Sequence, residues 1–160
     1  MNRQYQANKV NYKLPIIGLD LGCGFLRYKE PDGFIGIDII DYGQEIVWDI
    51  TKGIPLPDNS VPAVFTCHFL EHIKWEDAFE VFRELWRVCV SGTEIFIRMP
   101  YPDASNPWAL YASHMGMWDV LVMEHFFRAL NAENNNIKFK VLSNEKVGDE
   151  LQTKAKVEKE

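Results

Sequence analysis

Three aspartates in this chain sit where apolar runs end: Asp20 in "GLDLGCG", Asp38 in "GFIGIDII" and Asp49 in "QEIVWDI". A carboxylate beside an apolar strand interior is costly unless something holds it, so each one calls for a partner. Gly22 and Gly24 follow Asp20 directly. Two glycines at that spacing let the chain turn sharply and let a ligand come close to the backbone. In an open parallel sheet, ligands lie outside the carboxyl ends of the strands, and an acid ending the second strand can accept both hydroxyls of a ribose. Asp38 is therefore the expected ribose ligand, and Asp20 the brace of the loop that meets the rest of a nucleoside. A dinucleotide is not expected. Its fingerprint G-x-G-x-x-G needs a third glycine opening a helix, and that position is Arg27 here.

A second group of chemical residues is "HFLEH", His68 to His72. H-x-x-E-H is the inverted zinc-peptidase pattern, in which two histidines on one helical face bind the metal and the glutamate activates water. That chemistry needs the motif inside a helix and a third ligand further along. The preceding "SVPAVFTC" reads as a strand, so the motif straddles a strand end and a helix start. A zinc hydrolase using His68, Glu71 and His72 is kept as an alternative, and no metal is otherwise expected. Cys23 and Cys67 read as small packing residues, because neither has an activating base near it in sequence.

The elements that must position these residues follow from periodicity. "LPIIGLDLG" is a continuous apolar run of the kind found in buried parallel strands. "GFIGIDII", "QEIVWDI" and "SVPAVFTCHFL" read as three more strands. Between Trp75 and Val90 the period turns helical, through Ala78, Phe79, Phe82, Leu85, Trp86 and Cys89, with Ser91-Gly92 as the stop. "TEIFIRMP" is a fifth strand, and a second helix is expected over roughly 118–130. "IKFKVL" and "ELQTKAKVEK" alternate around "SNEKVGD" as a hairpin. Strands alternating with helices imply one α/β domain: a three-layer sandwich with a mostly parallel seven-stranded sheet and a C-terminal antiparallel hairpin. Only about a dozen residues join the first two strands, near the minimum for a parallel crossover. The first crossover helix must be much shortened.

Bulk properties bound the function. One domain is expected over residues 1–160, with a polar segment at 1–14. Seventeen basic against twenty-three acidic residues give a net charge of −6. That balance disfavours a nucleic-acid backbone as the main partner. No apolar run reaches the roughly 18 residues of a membrane span, and "MNRQYQANKVNYK" lacks the core of a signal peptide. Three cysteines without a C-x-x-C pair fit a reduced cytoplasmic setting.

Over residues 16–102 the chain resembles the class I S-adenosylmethionine-dependent methyltransferases, in particular the small type 11 group. "LDLGCG" is similar to the first motif of that family, "GIDI" to its ribose-binding acid and "WDIT" to its adenine-side segment. "LPDNSVPAVFTCHFLEHI" and "ELWRVCVSGTEIFIRMP" resemble its fourth-strand and fifth-strand stretches. The resemblance implies a Rossmann-like fold and S-adenosylmethionine as methyl donor, with S-adenosylhomocysteine as product. It implies a cofactor site of Asp20, Gly22, Cys23, Gly24, Asp38, Ile39, Asp49, Ile50 and His68. His68, Tyr101, His72 and His114 are the candidates for a general base, if the acceptor must lose a proton. The loop 101–117 is expected to face the substrate.

Three departures from the family pattern stand out: Leu26 for a glycine, Pro62-Ala63 in the fourth strand, and Val90-Ser91 before Gly92. They raise the alternative of a SAM-binding subunit that has lost catalysis. The D/N-P-P-Y/F motif of base methyltransferases is absent, so the expected acceptor is a small molecule or a protein. An open acceptor site, completed by a homodimer or a partner subunit, is also expected, since no insertion is long enough to form a cap.

Overall fold

Runs too short and too apolar for a helix become sheet interior. In the computed structural model, β2 (Leu19–Leu21) and β3 (Ile35–Asp38) are buried on both faces save for the half-buried Asp38. The structure describes residues 9–10, 15–25, 33–103, 106, 113–133 and 136–159. The remaining strands are β1 (Lys9–Val10), β4 (Ile46–Val47), β5 (Val61–Cys67), β6 (Cys89–Pro100), β7 (Lys138–Val147) and β8 (Glu150–Glu158). They form one sheet in the order β1-β4-β3-β2-β5-β6-β8-β7.

Strands β4 through β6 in that order pair in parallel, while β8 and β7 close the sheet as an antiparallel hairpin. The expected seven strands are all present. The two residues of β1 add an eighth, antiparallel to β4, which the sequence reading did not anticipate. Strand order reverses between β2 and β5, so the carboxyl ends of those two strands flank the switch point.

Helix α1 (Trp75–Val88) turns Ala78, Phe79, Val81, Phe82, Leu85 and Val88 inward, with Glu76 and Asp77 in its first turn. It ends two residues short of the expected Val90, because Cys89 is already extended and pairs with Val61. Helix α2 (Val120–Glu133) packs beside it through edge-to-face rings, Phe82 against Phe126 at 5.0 Å and against Phe127 at 5.4 Å. Each such side chain contributes about 1.5–3 kcal/mol on full burial. Both helices join a single core cluster with Leu19, Val64, Ile95 and Ile97, which share one sheet face by register. Of the three expected layers, the described residues show the sheet and this one helical layer. The shortened crossover, with Leu26, falls in 26–32, and most of segment 1–14 is likewise outside the described residues.

Two local expectations change. "SNEKV" is not the hairpin loop; it continues β7, and the turn is Gly148-Asp149, with Gly148 at a φ of 61°. A register shift near Leu142 absorbs the extra residue. Pro62 lies exposed at another irregularity, between Val61 and Ala63, where its missing N–H costs no ladder bond.

Candidate functional site

The glycine loop after β2 is fastened to the end of β3 by three successive amides. Gly22 and Cys23 donate to the Ile37 carbonyl at 2.9 and 3.2 Å, and Gly24 donates to Asp38 Oδ2 at 3.0 Å. Gly22 and Gly24 have φ of 68° and 60°, a region that penalises any side chain. At Gly22 a Cβ would also lie 2.5 Å from the Phe69 ring. At Gly24 no atom of the described residues stands within 4 Å of that position, so they leave the backbone open to a ligand there.

Asp38 does more than end its strand. Its Oδ1 accepts from the Ile40 amide at 3.0 Å, so the two carboxylate oxygens are aimed by two different loops. A carboxylate has about four lone-pair sites, which leaves room for a diol. Gln44, 2% exposed, keeps the following loop in shape by donating to the Ile40 carbonyl at 2.8 Å and accepting from Tyr42 at 2.8 Å. Around this corner Phe25, Ile39, Ile40 and Tyr42 are exposed, and the rings of Phe25 and Tyr42 meet at 5.9 Å. Apolar side chains left in water beside a convergent carboxylate are the usual lining of a small-molecule cleft.

Asp49 caps the 3-10 turn Ile50–Lys52, accepting from the Thr51 amide at 3.1 Å and the Thr51 hydroxyl at 2.6 Å, with Lys52 3.3 Å away. Burial alone would raise its pKa; the bonds from Thr51 and Lys52 outweigh it and hold the carboxyl below its ordinary value. Ile50 is buried in the core cluster, while Asp20 is 2% exposed and stands between Gly36 and Phe65 in register.

Beyond β5 the chain turns at His68, whose φ is 55°. That left-handed residue keeps "HFLEH" from forming one helix; only Leu70–His72 makes a 3-10 turn. The motif therefore lacks the helical face that the zinc-peptidase pattern needs. His68 instead bridges two carboxylates, with Nδ1 3.3 Å from Glu71 and Nε2 3.6 Å from Glu150. Hydrogen bonding to Cys67 and to Glu71 raises its pKa to about 10, against the burial that would lower it. Glu150 is gripped by Arg98 through bonds of 2.7 and 3.0 Å. Burial would raise the Glu150 pKa, yet Arg98 and Gln152 hold it below the ordinary value.

His72 and His114 meet edge to face at 4.8 Å and close on Glu71, so three of the four candidate bases share one neighbourhood. Tyr101 belongs to a different set. Its amide bonds to the Asp149 carbonyl, and Lys146 lies 4.8 Å from its ring, so it is tied to the β7–β8 turn. In the loop 101–117, residues 104–105 and 107–112 lie outside the described residues. The sequence reading missed Arg98, Glu150 and Gln44. The polar positions of β6 and β8, alternating with Ile97 and Leu151, were the available signal for the first two.

A cavity of about 840 Å³ opens at the other end of the sheet, lined by Trp86, Arg87, Lys138 and Lys159 among others. It touches none of these residues. Among the described residues no helix is long and apolar enough to cross a membrane.

Residues 11–97 match the family model described as "Methyltransferase domain". Solved structures share the fold at low identity. A chain from a Haloferax volcanii complex of the Trm112 methyltransferase activator with a methyltransferase aligns at a TM-score of 0.65 and 15% identity, over 96% of this chain and 86% of that one. An Archaeoglobus fulgidus SAM-dependent methyltransferase aligns at 0.64 and 17% identity, over 88% and 86%. Phosphoethanolamine N-methyltransferase 1 of Haemonchus contortus, solved with phosphoethanolamine and S-adenosylhomocysteine, aligns at 0.67 and 15%, over 95% and 40%. No curated protein matches the sequence.

Proposed function

The chain belongs to the methyltransferase domain family, so its cofactor is S-adenosylmethionine, and from that premise we propose that it methylates a small-molecule acceptor. The acceptor would lie outside the carboxyl ends of β5 and β6. The observation that carries this reading is the Asp38 carboxylate, fixed from two sides by the Gly24 and Ile40 amides at the carboxyl end of β3.

The residues present fit the cofactor. Asp38 would take the ribose diol, and the open space at Gly24 would admit the nucleoside against the backbone. Exposed Ile39 and Tyr42 would cover an apolar ring face, whereas Asp49 would reach a base amino group only with lone pairs that Thr51 leaves over. The cofactor supplies, when bound, a methyl group already activated by a sulfonium centre. What remains for the protein is to hold the acceptor in line and exclude water. His68, held protonated by its neighbours, suits donation of a hydrogen bond to an anionic group better than abstraction of a proton.

The test is calorimetric titration with S-adenosylmethionine and S-adenosylhomocysteine. Micromolar binding that weakens tenfold or more in Asp38→Ala, about 1.4 kcal/mol, is the expected outcome. No binding by folded wild type would count against the reading. Binding restored by a second subunit would support a partner-completed site instead; the complex with an activator in the Haloferax neighbour, and the exposed Phe25, Ile39, Ile40 and Tyr42, favour that second arm.

A further inference from the structure

We propose that Glu71, His72 and His114 form a binding site for a divalent transition-metal ion, beside the cofactor corner and distinct from it. Their ligand atoms all lie within 4.8 Å of one another. Around a zinc-sized ion, with bonds of about 2.0–2.1 Å, tetrahedral ligand atoms stand roughly 3.4 Å apart. The exposed His72 ring has the freedom to close that difference.

Glu71 gives the second, independent observation. It is 2% exposed, and its Oε2 finds no hydrogen-bond donor. His68 offers Oε1 an ion-pair contact at 3.3 Å, which leaves Oε2 without a donor. A buried carboxylate oxygen in that condition is expensive, and a cation is the partner that removes the cost.

The His72 ring is anchored through one nitrogen, and His114 is placed by the backbone of its own segment. His72 Nδ1 lies 3.3 Å from both the carbonyl and the hydroxyl of Ser113, which orients the ring and presents Nε2. His114 comes from the segment hung on Glu71 itself, since the Met115 and Gly116 amides donate to the Glu71 carbonyl at 2.6 and 3.3 Å. The ligands thus arrive from one 3-10 turn and one distant segment, joined by backbone bonds that do not depend on the ion. Two imidazoles and one carboxylate select a borderline cation such as Zn²⁺ or Co²⁺ over Mg²⁺ or Ca²⁺. Three protein ligands leave a position for water or for an oxygen of a bound molecule.

The site differs from the one suggested by the H-x-x-E-H pattern, because His68 serves as a neighbour of Glu71 and not as a ligand. The full chain, stripped by a chelator, is titrated with Zn²⁺ against a chromophoric competitor, and with Co²⁺ while its visible absorption is followed. One equivalent should bind, and His72→Ala and His114→Ala should each weaken binding about tenfold or more. His68→Ala should retain it. Glu71→Gln should abolish the cobalt spectrum, with a cooperative urea melt like that of the wild type showing that the variant is folded. No stoichiometric Zn²⁺ or Co²⁺ binding by folded wild type would overturn the proposal. So would unchanged affinity in the two histidine variants, an equal loss in His68→Ala, or a preference for Mg²⁺. The metal titration is made without cofactor, so its result is independent of the methyltransferase reading.

Discussion

At the amino ends of the parallel strands, Arg87 donates to Glu84, to Asp58 and to the carbonyls of Ile54 and Leu56. Glu84 in turn accepts from the Ile54 amide, and Lys159 reaches Asn59 and two backbone carbonyls. At the carboxyl ends the pattern is inverted. Thr66 Oγ1 and Glu71 Oε2 there find no hydrogen-bond partner, nor does the buried Trp118 Nε1–H, while His68 holds a left-handed backbone and large apolar side chains face water. Among the described residues, one end ties its buried polar groups into a closed network, which stabilises the fold. The other leaves groups aimed outward, which lowers stability and is the arrangement a ligand can complete.

The contrast can be broken from either end. The largest effect is expected at the closed end: Arg87→Met takes the cation from the Glu84 carboxylate, 12% exposed at its side chain, and should cost about 3 kcal/mol in urea unfolding. S-adenosylhomocysteine affinity should stay unchanged; a parallel loss of binding would mean that the two ends are coupled. The glycine loop comes next. Gly22→Ala adds a clash with Phe69 to a positive φ, whereas Gly24→Ala meets only the φ penalty of about 1–2 kcal/mol. Gly22→Ala should therefore be the more destabilising in thermal unfolding, and Gly24→Ala should instead show its effect in cofactor binding. Equal losses of stability would refute that separation.

Glu150 tests the smallest difference. Its pKa is lower folded than the ordinary 4.5, so its contribution is present above that value and is lost as the pH falls through the folded pKa. Glu150→Gln should remove that part of the acid dependence below about pH 4.5 and cost on the order of 1 kcal/mol at neutral pH. An unaltered acid limb in urea melts at several pH values would show that the Arg98 pair contributes nothing to stability.

Much of the fold was legible because burial on both faces imposes composition directly. Leu19–Leu21 and Ile35–Asp38 could hardly be anything but interior strands, and Phe79, Phe82 and Leu85 mark the inner side of α1. The extension of β7 through Asn144 was hidden, since "SNEKV" has loop composition. Asn144 nevertheless sits in the strand, donating to the Val120 carbonyl and accepting from Thr153 at 2.8 Å each. A two-residue strand such as β1 carries too few residues for any pattern. At the candidate site, Asp38, Gly22 and Gly24 could be named from local spacing, because their task is set by the turn that they themselves make.

The sequence alone determined the order of elements, the glycine turn and the acid that ends β3, all consequences of backbone sterics and of the cost of burying charge within a few residues. Only the tertiary structure decided what the histidines do. His68 and His72 look like a pair along the chain, yet the positive φ at His68 sends it toward Glu150, 82 positions away, and backbone bonds to Glu71 bring His114 in from 43 positions away. Side-chain chemistry of that kind depends on distances between segments, and those are fixed by the packing of the whole sheet, not by any local stretch of sequence.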